Sequence, residues 1–152
     1  MGWPTKKLGM IEDYQIKKKV EFCLRQLFKN DYHLLEIKAH ERSIAHKLAE
    51  YLQQQFPDWH VDCEYNRHYI EIKKLDEGKV YPDIIVHLRN TSFNLLVIEI
   101  KCSDENYEED IEKLKKFTEH NGKFNYQLGL FLKIINCEIK EKIWFKNGQQ
   151  KN

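Results

Sequence analysis

The sequence predicts an α/β fold with a mixed central sheet and helices on its faces. Two changes of period carry that reading. Apolar residues recur at three-and-four spacing before residue 57 and again over 107–118, whereas 59–101 and 126–148 alternate or run apolar. A helix between two strongly apolar strands also predicts a parallel, right-handed crossover.

Residues 13–29 read as a helix, with Ile16, Val20, Cys23, Leu24, Leu27 and Phe28 on one stripe and Asp13 as its cap. Residues 31–39 read as a turn and a short extended piece. A second helix spans 41–56 with Ile44, Ala45, Leu48, Tyr51, Leu52 and Phe56 inward, and Pro57 stops it. "WHVDCEYN" and, more weakly, "RHYIEIKKL" alternate as strands. "VYPDIIVHL" and "NLLVIEIK" are the richest strands, and the polar "RNTSF" joins them as a turn. The next helix is capped by Ser103 or Asp104, carries Tyr107, Ile111, Leu114 and Phe117 or Thr118 inward, and ends at Asn121-Gly122. "YQLGLFLKII" is then a buried strand and "EKIWFKNG" a last, more exposed one. The whole chain, 1–152, forms one domain: an N-terminal helical extension over 1–40, a core over 41–135, and a C-terminal strand and tail over 136–152.

Composition narrows the class. Hydrophobic residues are 41% and charged residues 32%, which suits a globular chain with one core rather than a disordered one. The longest apolar run, Leu95 to Ile98, falls far short of the ~20 residues of a membrane span, and no signal peptide opens the sequence. Four scattered cysteines without a C-x-x-C favour a reducing, cytoplasmic setting over a disulfide framework or a zinc site. The net charge of +1 leaves only local basic patches, and the clusters Lys17–Lys19, Lys73-Lys74 and Lys115-Lys116 read first as solvated faces.

The tripeptide Glu-Ile-Lys occurs four times, at 36–38, 71–73, 99–101 and 138–140. Three copies lie in polar surroundings where the charges can point to water. The copy at 99–101 ends a strand that is apolar on both faces and so central in its sheet. Ionised groups there are expensive unless paired or metal-bound. If the strands around 80–88 and 94–101 form a hairpin about residues 90–92, Asp83 faces Glu99 and Tyr81 faces Lys101. Directly opposed residues have Cβ atoms ~5 Å apart, and two carboxylates so close repel unless a cation or a proton sits between them. Asp83 is also the lone acid in an otherwise apolar strand. A rival string, Pro57-Asp58 before Glu71-Ile72-Lys73, is set aside because Asp58 lies where a helix ends. His87 shares the Asp83 face if the strand is regular, and reads as a satisfied core histidine.

"YPDIIVH" and "VIEIK" together resemble the PD-(D/E)xK nuclease superfamily, with its restriction-endonuclease-like fold, in a branch of small bacterial and phage proteins. The preceding "ERSIAHKLAEYLQ" and the following "DIEKLKKF" stand in the family's order of helix, three strands, helix and strand (αβββαβ), which residues 41–135 cover. The resemblance implies a Mg²⁺- or Mn²⁺-dependent hydrolysis of phosphodiester bonds. It makes Asp83, Glu99 and the Ile100 carbonyl the metal's oxygen ligands, with Lys101 positioning the attacking water. It also adds Glu41 on the first core helix to the site. Arg67, Lys74 and Lys79 are then candidate phosphate contacts, DNA is the first expected nucleic acid, and a homodimer or a partner protein is compatible with the family. The alternatives are a catalytically silent nuclease-fold binding or regulatory module acting with a partner, and a structural α/β protein whose acids form a salt bridge.

Overall fold

The computed structural model describes residues 11–63, 74–75, 78–79 and 81–151. Helices α1 (Asp13–Asn30), α2 (Tyr32–Glu36) and α3 (Glu41–Gln55) precede strands β1 (His60–Cys63), β2 (Lys74–Leu75), β3 (Gly78–Lys79), β4 (Ile84–His87) and β5 (Asn94–Lys101). Helix α4 (Glu108–Phe117) then leads to β6 (Leu128–Ile135), β7 (Glu138–Lys146) and β8 (Gln149–Lys151). Six strands form one mixed sheet in the order β1-β4-β5-β6-β7-β8, and β2 and β3 pair separately. Only β5 and β6 run parallel among the paired strands of that sheet, joined through α4, as the helix between two apolar strands predicts.

Strand alternation sorts the core into two layers. Even-numbered residues of the central strands, including Ile84, Val86, Leu96, Ile98, Leu130 and Leu132, pack with Ile16, Val20 and Leu24 of α1 and Leu48 and Leu52 of α3. On the opposite face Ile85, Val97, Phe131 and Phe145 pack with Leu114 and Phe117 of α4. Helix α1 is thus a full member of the first layer. It is also pinned at its start, where Asp13 accepts a hydrogen bond from Gln127 at 2.8 Å and pairs with Lys146 at 2.9 Å.

Several boundaries differ from the sequence reading for local reasons. Residues 32–36 are a short helix rather than an extended piece, and Lys38 closes it with φ 58°. Glu12, not Asp13, caps α1, through a reciprocal capping box with Gln15. Helix α4 starts at Glu108 rather than after Ser103 or Asp104, because "CSDENY" turns on its own side chains. Asn106 accepts from the Glu108 N–H at 2.7 Å. It ends at Phe117, four residues before Asn121, where the Thr118 hydroxyl donates back to the Leu114 carbonyl at 2.8 Å. Strand β7 begins at Glu138, so the fourth Glu-Ile-Lys lies within it, and Asn147-Gly148 turns into β8 instead of ending a strand. No helix among the described residues is long and apolar enough to cross a membrane, and no disulfide links the cysteines.

Candidate active site

The register of the β4–β5 hairpin decides which acids meet. Ile84 pairs with Ile98 and Ile85 with Val97, so one further step sets Asp83 across from Glu99, as the sequence requires. The Asp83 carboxylate accepts a hydrogen bond from the Ile100 N–H at 2.7 Å, which anchors it where the ladder ends. Asp83, Glu99 and Lys101 stand on the odd-numbered face, under α4. That placement follows from the strand's own pattern: "LLVIEI" is buried throughout, so its last odd position carries an acid into the interior.

Glu99 is 3% exposed. Its Oε2 is buried and has no hydrogen-bond donor, and its Oε1 lies 3.6 Å from the Lys113 ammonium. Burial, and then the charge of Asp83, push the Glu99 carboxyl well above the usual carboxylate range. Asp83 is pushed up to about 6, mainly by burial and also by the Glu41 charge, against the lowering effect of the Ile100 hydrogen bond. Both shifts say that the site holds negative charge it cannot hydrate.

Glu41 reaches the same end of the sheet from the other layer. It stands in the first turn of α3, and its Oε2 accepts from the Cys102 N–H at 2.7 Å, just past β5. Burial, then the Glu41 and Asp83 charges, push the Cys102 thiol up to about 12, so it stays protonated and is no nucleophile at neutral pH.

Two side chains missing from the sequence reading complete the cluster. Asp110 and Lys113, one turn apart on α4, face the strand acids. Lys101 Nζ lies 3.4 Å from Asp110, and Lys113 Nζ lies 3.5 Å from Asp110. Burial opposes the charge on both lysines, but Asp110 holds Lys101 above its ordinary value, and Glu99 with Asp110 does the same for Lys113. The signal was present: Asp110, Lys113, Leu114 and Phe117 share one helical stripe, so two charges occupy positions aimed at the core. Four carboxylates (Glu41, Asp83, Glu99, Asp110) therefore meet two ammonium groups.

The remaining candidates divide. A bulge between Val86 and His87 interrupts the register with β5, and His87 Nε2 lies 2.7 Å from Asp62, which Arg89 also grips at 2.6 Å. His87 is a satisfied core histidine, and the two partners hold Asp62 below the carboxylate range despite its burial. Arg67 lies outside the described residues, as do the side chains of Lys74 and Lys79. The structure shows other cations at the site's mouth. An open groove of about 1190 Å³ is lined by Asp83, Glu41 and Glu105 together with Lys38, Arg42, His46 and Lys47.

Among the described residues, no three His, Cys, Asp or Glu side chains close into a ready-made metal cage. The donor set that exists is the buried carboxylate of Glu99, with one unpartnered oxygen, beside the half-buried carboxylate of Asp83. This fits a hard divalent ion such as Mg²⁺, which keeps several waters and takes one or two carboxylates rather than a full protein shell. A thiophilic metal does not fit it. No protein-family model matches the chain, and no curated protein matches it in sequence.

Proposed function

We propose that the chain hydrolyses phosphodiester bonds of nucleic acid with the help of a divalent metal ion, on a restriction-endonuclease-like core. The opposition of Asp83 and Glu99 carries the reading, because it concentrates charge that only a cation or a proton relieves. The helix, three strands, helix and strand of α3, β1, β4, β5, α4 and β6 support the core assignment.

When bound, a divalent ion supplies an acidified water and neutralises charge growing on the phosphate. The protein's own groups have separable tasks. Asp83 and Glu99 fix the ion, and Glu41 adds negative potential from the opposite layer. Lys101, oriented by Asp110, donates to the attacking water and to the developing oxyanion. Lys113 lies closest to Glu99 and favours its ionised, ligand-competent form.

The ion pairs themselves favour one competing reading, a structural salt-bridge cluster. The surplus of two carboxylates speaks against it, since two lysines neutralise only half of the four acids. Calorimetric titration with Mn²⁺ and Mg²⁺, followed by a screen of single-stranded, duplex and branched DNA and RNA, decides between them. We expect metal-dependent cleavage that Glu99→Gln abolishes together with the heat of binding. Metal uptake without cleavage would support a binding module, and neither would support the salt-bridge cluster.

A further inference from the structure

The groove that opens at Asp83 holds about 1190 Å³, and its chemistry is mixed. Its acids are Asp83, Glu41 and Glu105. Lys38, Arg42 and Lys47 line it as well, with His40 and His46. Glu50 steadies two of these, pairing with His46 at 3.1 Å and Lys47 at 3.5 Å on the exposed side of α3. Lys38 makes no ion pair among the described residues.

The backbone at Lys38 adds an independent observation. Its φ of 58° lies in the left-handed region, where a helix terminus normally carries glycine or asparagine. A lysine there forgoes conformational stability.

Resting on the phosphodiesterase reading, we infer that this groove is the bed of the substrate's sugar–phosphate backbone, with Lys38, Arg42 and Lys47 meeting phosphates on one side of the bond held at Asp83. Such contacts place a strand without reading its bases, so the groove selects a polyanion rather than a sequence. The bed lies on the α2–α3 side of the site.

The test is fluorescence anisotropy of the full chain with labelled 20-nucleotide single-stranded DNA, duplex DNA and RNA, in 5 mM Ca²⁺, over a series of KCl concentrations. The three probes report which polyanion is preferred. Lys38→Gly, Arg42→Gln and Lys47→Ala are measured singly and together, against a control carrying Lys115→Ala and Lys116→Ala on α4. Each lost phosphate contact lowers the slope of log K against log salt by about 0.7 on a single strand, hence by roughly 2 for the triple variant. We expect that loss, with Mn²⁺ titration unchanged and the control at wild-type affinity. Lys38→Gly keeps the fold testable by itself, because glycine suits that backbone and its melting temperature should not fall. Wild-type slopes in the singles and the triple overturn the groove, even if the protein cleaves. Groove-dependent binding, with no cleavage in the Mn²⁺ and Mg²⁺ screen, sustains the groove and removes the enzyme. No binding by the wild type removes the groove directly.

Discussion

Replacing Asp83 by asparagine should stabilise the metal-free protein at neutral pH. Asparagine keeps an oxygen to accept the Ile100 N–H bond and removes the charge facing Glu99. The folded-state pKa of about 6 stands above the ordinary 3.8, so the folded protein binds this proton more tightly than the unfolded chain does. Stability therefore falls as pH rises from about 4 through 6. A difference of about two pKa units is worth about 3 kcal/mol at 1.36 kcal/mol per unit, an upper figure for the gain at pH 7.5. For a chain of this length that corresponds to a rise of roughly 6–12 °C in Tm. Thermal and urea unfolding in EDTA at pH 7.5 and pH 4 measure it, and at pH 4, where the carboxyl is protonated, the two proteins should match. A variant less stable than wild type at pH 7.5 refutes the reasoning, because Asp83 would then be a salt-bridge partner and not half of a repelling pair.

Three other perturbations test the surrounding structure. Lys113→Met removes the cation 3.6 Å from a buried carboxylate and should destabilise the protein by about 2–4 kcal/mol at pH 8. The loss should shrink as pH falls and Glu99, whose carboxyl is pushed up by burial, takes up a proton; denaturant titrations over a series of pH values measure it. Asp62→Asn should destabilise at pH 7 by about 1–3 kcal/mol, since His87 and Arg89 lose a charged acceptor. Asp62 has a depressed folded pKa, so its contribution is present above the unfolded value near 4 and fades as pH falls below it; an undiminished difference at pH 2.5 contradicts this. Ile98→Ala, at a fully buried position in the layer under α1 and α3, should lower unfolding free energy by about 2–5 kcal/mol without altering the Mn²⁺ titration of the folded protein.

Much of the site was legible because strand periodicity fixes faces. Asp83 and Glu99 could be paired from the position of one polar turn between two apolar runs, and the ladder keeps that register. Glu41 followed only from resemblance, since nothing local says that an acid in a first helical turn reaches over a sheet end. Asp110 and Lys113 were hidden by composition: "EEDIEKLKKF" has enough charge to pass for a solvated helix, and only the stripe shared with Leu114 and Phe117 betrays them. The groove cations were illegible for another reason. Lys38 is carried to its place by a left-handed turn, and no hydrophobic pattern marks a single backbone angle.

The parallel pairing of β5 with β6 bears on how the chain avoids self-association while it folds. Parallel partners need a crossover, so β5 waits with an open edge until α4 and β6 arrive. Until β6 pairs with it, "LLVI" has β4 on one side only and is an uncharged, β-prone run with an open edge, the kind of segment that seeds aggregates. The acid and lysine that follow it, with Asp83 on the neighbouring strand, act as gatekeepers at its end. Charge-removing variants such as Asp83→Asn and Glu99→Gln should then refold at micromolar concentration with more aggregate than the wild type, even where their native state is the more stable. The charges proposed to serve catalysis would then also limit aggregation during refolding.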